Sequence, residues 1–243
     1  MLAEGKNPVV EALKSGKTIE KLVVLDKTED AVIREQIKIA RDKGIRVEFV
    51  QRQALDRLST TGHHQGIIAV TSEFEYSDLD EVFEEADRKG ERKFFILLDK
   101  LSDPHNLGSV IRTAECSGVT AVVIPNRNSV LVNETVLRSS AGASNFVKVC
   151  KVGNLNDAIK KLKDAGVFVY VTDMDGENIY NTNLKGDIAI VIGSEGFGVS
   201  ALTRKLADQV ISIPMYGQIN SLNASVSAGI CMYEAVRQQN FKG

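Results

Sequence analysis

With 243 residues, 43% of them apolar and 26% charged, the chain can build one large domain or two small ones, and it lies far from the composition of a disordered polypeptide. Three cysteines without a CxxC pair and only three histidines exclude a disulfide scaffold and a four-cysteine zinc site; they point to a reducing cytoplasm and to no resident metal. The formal charge of −2 decides nothing about an anionic partner, because residues 1–71 balance at +2, residues 72–91 at −7 and residues 92–243 at +3.

No run approaches the roughly 18 apolar residues of a membrane span, and MLAEGKNPVV has no apolar core of a secretion signal. The first 71 residues alternate helix and strand. Asn7 and Pro8 open a helix that Gly16 closes. IEKLVVL (19–25) reads as a strand, EDAVIREQIKIARDK (29–43) as a helix stopped at Gly44, and IRVEFV (45–50) as a second strand. A short helix ALDRLS and a strand GIIAV (66–70) follow. No catalytic constellation stands out here; the pair His63 and His64, in TGHHQG, serves either a ligand or the needs of its own turn. The acidic stretch 72–91 reads as a linker holding a short helix, capped by Asp78, stopped at Gly90 and carrying its carboxylates on a solvated face.

From residue 92 onward the rhythm is stricter. FFILL (94–98), AVVI (121–124), FVKVC (146–150), VFVYV (167–171), IAIVI (188–192) and QVISI (209–213) read as buried strands. Helices are expected over 106–117, 133–141, 154–165, 200–207 and about 223–239, with Asn154 as a cap and Gly166 as a stop. Alternation of near-continuous apolar strands with helices implies a mostly parallel sheet covered on both faces. Ligands of such sheets bind beyond the carboxyl ends of the strands, so the residues that follow strands carry the information.

Three such segments are unusual. DKLSDPHNLGSVIRTAECSG (99–118) follows the first strand of this part; Asn106 offers an amide to a ribose or phosphate or caps the helix, Gly108 permits close approach, and Arg112 lies further along. It lacks the G-x-G-x-x-G of dinucleotide sites. IVIGSEGFGVS (190–200) runs a strand into Gly193, Gly196 and Gly198, which do not match a P-loop but let backbone groups lie against a flat ligand such as adenine. ISIPMYGQINSLNASVSAGICMYEAVRQQ (211–239) ends a strand at Pro214 and enters a helix crowded with small residues, with Ser221 and Asn223 at its start, where free N–H groups favour anions.

N-x-G-x-x-x-R, G-S-E-G-x-G and I-P-M…S-L-N-x-S-x-x-x-G, in this order and each after a strand, resemble the three signature motifs of the SpoU (TrmH-type) RNA ribose 2′-O-methyltransferases of the SPOUT superfamily. The resemblance covers about residues 92–240. GKNPVVEAL and HQGIIA resemble the small ribosomal-protein-like RNA-binding domain carried by the bacterial 23S rRNA guanosine 2′-O-methyltransferase branch. The fold so implied is α/β: a parallel-sheet SPOUT domain with a C-terminal trefoil knot over 92–243, and a small N-terminal α/β RNA-binding domain over 1–71.

The resemblance further implies a cytoplasmic homodimer that binds S-adenosylmethionine without a metal and modifies RNA, not DNA. Asn106, Arg112, Glu195, Ser221 and Asn223 match the family's polar catalytic cluster, and Gly193, Ile213 and Leu222 the positions that hold the methyl donor. Asn220 and Tyr216 depart from common family residues outside that set. The implied reaction passes a methyl group from a sulfonium to a ribose 2′-hydroxyl, which DNA lacks. Methylation of tRNA uses the same motifs, but tRNA enzymes of the family usually lack the N-terminal domain. A non-catalytic RNA-binding or assembly protein is disfavoured by the intact cluster.

Overall fold

A computed structural model describes residues 2–14, 18–72, 74–194, 196, 198–219 and 221–240. The chain divides into two compact units, Met1–Glu75 and Tyr76–Gly243.

In the first unit, β1 (Leu2–Glu4), α1 (Lys6–Lys14), β2 (Thr18–Leu25), α2 (Ala31–Asp42), β3 (Arg46–Val50), α3 (Arg52–Leu58) and β4 (Ile67–Ser72) follow one another. The sheet order is β1-β4-β2-β3; β4 pairs antiparallel with both neighbours, whereas β2 and β3 are parallel across α2. Alternation in β2 sends Leu22 and Val24 to the face covered by Val9, Ile33 and Ala40, and Val23 to the opposite face with Leu55 and Ile68. Asp30 caps α2 by accepting from the Val32 and Ile33 N–H groups at 3.0 and 3.2 Å. The strand β1, three residues long, carries no periodicity of its own; only its pairing with β4 defines it. Gly16, read as a helix stop, lies outside the described residues.

The two adjacent histidines behave differently. His64 is buried, its Nδ1 accepts the Gly66 N–H at 3.0 Å, and its Nε2 therefore carries the proton and donates to Asp56 at 2.9 Å. Both nitrogens serve the loop, which supports the turn reading for this residue; His63 is exposed.

In the second unit, α4 (Leu79–Lys89) precedes β5 (Phe94–Asp99), α5 (Pro104–Cys116), β6 (Ala121–Pro125), α6 (Glu134–Ser139), β7 (Lys148–Val152), α7 (Leu155–Asp164), β8 (Phe168–Asn178), β9 (Ile188–Gly193), α8 (Ala201–Leu206), β10 (Gln209–Ser212) and α9 (Ala224–Asn240). Six parallel strands run in the order β10-β8-β9-β5-β6-β7. Every residue of β5 is buried, as the apolar run Phe94–Leu98 requires in a sheet covered on both faces. The chain leaves β5 toward β6 on one side and leaves β9 toward β10 on the other, so the adjacent ends of β5 and β9 form a topological switch point.

Three features differ from the sequence reading. The segment read as a linker over 72–91 carries α4, which belongs to the second unit: Leu79 and Val82 are buried with Phe95, Val123 and Ile159, and the Ser77 N–H donates to the Val149 carbonyl at 2.9 Å. Its carboxylates face solvent as expected, but its apolar stripe covers the sheet. Phe146, read as the start of a strand, stands 77% exposed before β7. β8 runs on through the polar residues TDMDGEN, because β10 pairs with it again at Glu177 after a register shift; a Cβ on Gly176 would lie 2.5 Å from the Ile211 carbonyl carbon, so only glycine admits that approach.

Candidate active site at the switch point

The segments that follow β5, β9 and β10, loops and helix starts together, hold the residues singled out from the sequence. Asp103 caps α5, its Oδ1 accepting the His105 N–H at 2.8 Å with Pro104 in the first turn. Asn106 is therefore no cap; it lies inside the first turn and is buried. Gly108 is pressed on α6: a Cβ there would sit 2.4 Å from the Ser139 Cβ and 2.9 Å from the Val136 carbonyl.

Asn223 caps α9. Its Oδ1 accepts from the Ser225 and Val226 N–H groups at 3.0 and 3.3 Å, while its Nδ2 donates to Asn106 Oδ1 at 2.9 Å. One side chain thus closes the start of α9 and ties it to the first turn of α5, across 117 positions of sequence. The small residues of α9 make this possible, since Gly229 faces Thr113 of α5 with room for only ordinary contact. Ser117, which caps the end of α5, donates to the Met232 sulfur at 3.4 Å on the same seam.

Arg112 projects from the exposed side of α5, six residues and about 9 Å of helix rise beyond Asn106. Among the described residues its guanidinium makes no hydrogen bond or ion pair. Ser221 and Leu222 are exposed immediately before α9, and Ile213 is half-buried one residue past β10.

Gly193 ends β9 in register with Asp99 of β5. The loop beyond it folds back on itself: Ser194 and Gly198 exchange backbone hydrogen bonds at 3.1 and 3.0 Å, and a Cβ on Gly193 would lie 2.3 Å from the Gly198 carbonyl carbon. Gly196 and Gly198 adopt positive φ of 87° and 63°. Glu195 lies outside the described residues, as does Asn220.

The sequence reading passed over Asp99. It is buried, and its Oδ2 accepts the Ser200 N–H at 2.8 Å, fixing the far end of the glycine loop to β5. The available signal was an apolar strand that ends on a carboxylate with no break between them. A cavity of about 470 Å³ bordered by Arg92, Glu115, Phe146 and Lys148 opens at the other, amino-terminal edge of the sheet, away from these loops. Among the described residues no cluster of His, Cys, Asp or Glu is arranged to hold a metal ion. Burial pushes the Cys150 and Cys231 thiols up to about 12, which removes both as nucleophiles.

A parallel α/β sheet with motif-bearing loops at its switch point, joined to a separate α/β unit, defines the class. The model of the SpoU rRNA methylase family matches residues 93–233, and that of the RNA 2′-O ribose methyltransferase substrate-binding domain matches residues 2–77. The chain belongs to the SpoU family and is an RNA 2′-O-ribose methyltransferase.

It is 40% identical over 237 residues to the TrmH family tRNA/rRNA methyltransferase YacO of Bacillus subtilis, covering 97% of this chain and 95% of that protein. A TrmH family tRNA/rRNA methyltransferase of Staphylococcus aureus is 41% identical over 241 residues, with 98% and 96% covered. Among solved structures, the SpoU methyltransferase AviRb of Streptomyces viridochromogenes, in complex with AdoMet, superposes with a TM-score of 0.60 at 25% identity, covering 98% of this chain and 90% of that one. The A. aeolicus TrmH/SpoU tRNA modifying enzyme has a TM-score of 0.56 at 27% identity and covers 65% of this chain and 84% of its own.

Proposed function

We propose that this enzyme transfers a methyl group from S-adenosylmethionine to the 2′-hydroxyl of a guanosine in 23S rRNA, acting in the cytoplasm as a homodimer whose catalytic unit carries a C-terminal trefoil knot. The observation that carries the reading is the Asn223–Asn106 hydrogen bond, because it joins two of the three motif-bearing loops at the sheet's switch point.

The site suits the donor. Gly193, Gly196 and Gly198 put no side chain between their backbone and a ligand, and the buried Asp99 carboxylate, tied to Ser200 beyond them, suits a positively charged ligand. Gly193, Ile213 and Leu222 would hold the donor, whose bound sulfonium supplies an already activated methyl group. What remains for the protein is to position the hydroxyl and help remove its proton. A guanidinium does not accept a proton at working pH, so Arg112 stabilises the developing alkoxide or holds the adjacent phosphate. Glu195 orients Arg112 or takes the proton, while Asn106, Ser221 and Asn223 complete the polar wall.

Val226 and Tyr233, one above the other on α9, are 48% and 51% exposed, an apolar face suited to self-association. The rRNA reading over tRNA is supported by the substrate-binding model over residues 2–77, beside a match of only 65% of this chain to the A. aeolicus tRNA modifying enzyme. Mapping ribose methylation in rRNA and tRNA from cells with and without the gene tests the assignment. Loss of one 2′-O-methylguanosine in 23S rRNA is expected; loss confined to tRNA would move the substrate there, and no loss in either would remove the proposal.

A further inference from the structure

Asp99 is 5% exposed, yet the structure gives its carboxylate a single hydrogen bond, from the Ser200 N–H at 2.8 Å, and among the described residues no lysine, arginine or histidine pairs with it. Burying an ionised carboxylate is costly unless it is paired and hydrogen-bonded, and a neutral asparagine would accept the same N–H at lower cost. A charge kept in such a place calls for a counter-charge that arrives with a ligand. Asp99 stands in register with Gly193, at the switch point where the proposed donor binds.

That donor is a cation at sulfur, and its demethylated product is neutral there. We infer that Asp99 makes the site prefer the sulfonium donor over the neutral thioether product, and so promotes product release. The inference rests on the methyltransferase reading and adds to it a specificity-determining residue. In the transfer the sulfur–methyl bond breaks as the bond from the ribose oxygen to the methyl carbon forms. The bonding pair stays on sulfur, the hydroxyl proton passes to solvent, and the site loses one positive charge next to Asp99. The carboxylate is then buried without its counter-charge, which weakens the product complex relative to the donor complex.

Calorimetry on the full-length protein tests this with S-adenosylmethionine and S-adenosylhomocysteine as the two ligands. Asp99→Asn keeps an acceptor for the Ser200 N–H and removes only the charge. Donor binding should weaken about tenfold while product binding stays unchanged or tightens, an effect within reach of one partly screened charge pair. Equal weakening of both ligands would reduce Asp99 to a clamp on the loop, and unchanged affinities would remove it from the site; either result overturns the inference. Should the variant fail to fold, the wild-type protein decides the matter: equal affinity for donor and product overturns the inference as well. Failure of the wild-type protein to bind either ligand would instead sink the methyltransferase reading itself.

Discussion

Arg112 and Asn223 lend themselves to substitutions that separate chemistry from folding. Arg112 is exposed and makes no contact among the described residues that the fold needs, so Arg112→Ala should leave thermal stability and donor affinity nearly unchanged. Loss of one preorganised electrostatic group typically lowers the rate about 100- to 1,000-fold. Arg112→Lys keeps the charge but loses the planar fork, and should remain strongly impaired in single-turnover transfer. A lysine variant with near-normal rate would show that charge alone suffices. Asn223→Asp offers a complementary test. A carboxylate still caps α9, so stability should hold, but it has no N–H to give Asn106. Transfer should fall at least about tenfold, the factor that corresponds to one hydrogen bond of about 1.4 kcal/mol. The motif spacing identified these side chains, but it left Asn106 as a possible cap. Asp103 followed by Pro104 is the stronger start signal, and it moves Asn106 into the buried first turn, where it meets Asn223.

At the level of elements, close backbone approaches set the stability. Alanine in place of a helical glycine usually gains up to about 1 kcal/mol. Gly108→Ala should lose about 1–3 kcal/mol instead, because its Cβ would collide with Ser139 and the Val136 carbonyl on α6. Urea denaturation measures the sign directly, and a gain in stability would mean that α5 and α6 separate easily. A different device holds the loop after α3. Glu4 accepts hydrogen bonds from the hydroxyls of Ser59, Thr60 and Thr61, and those donors hold its carboxyl far below the ordinary glutamate value of 4.5. A depressed folded-state value means stability that is present above about pH 4.5 and lost as the pH falls below it. Glu4→Gln should therefore destabilise the first unit at pH 7, with the gap to wild type beginning to narrow as the pH falls below about 4.5. A gap independent of pH would assign the effect to packing.

For the whole molecule, the boundary between the units carries a prediction of its own. A fragment of residues 76–243 keeps α4 on its sheet and should fold, bind the donor and methylate RNA poorly for want of the substrate-binding unit. Full activity of that fragment on the natural substrate would show that the first unit is not needed for recognition. A fragment of 92–243 lacks Leu79 and Val82 from the core, each worth about 1.5–3 kcal/mol of burial, and should unfold at lower urea. The sequence alone determined the strand–helix alternation, the caps at Asp78 and Asn154 and the glycine-rich loop, because these depend on residues within a few positions of one another. It also carried the family motifs. Strand order, β1, the extension of β8, the placement of α4 on the second unit and the Asp99–Ser200 contact were decided by pairings between distant segments. Local periodicity carries no record of which strand will lie beside which, or of which buried charge will meet which loop; those follow only once the chain has closed on itself.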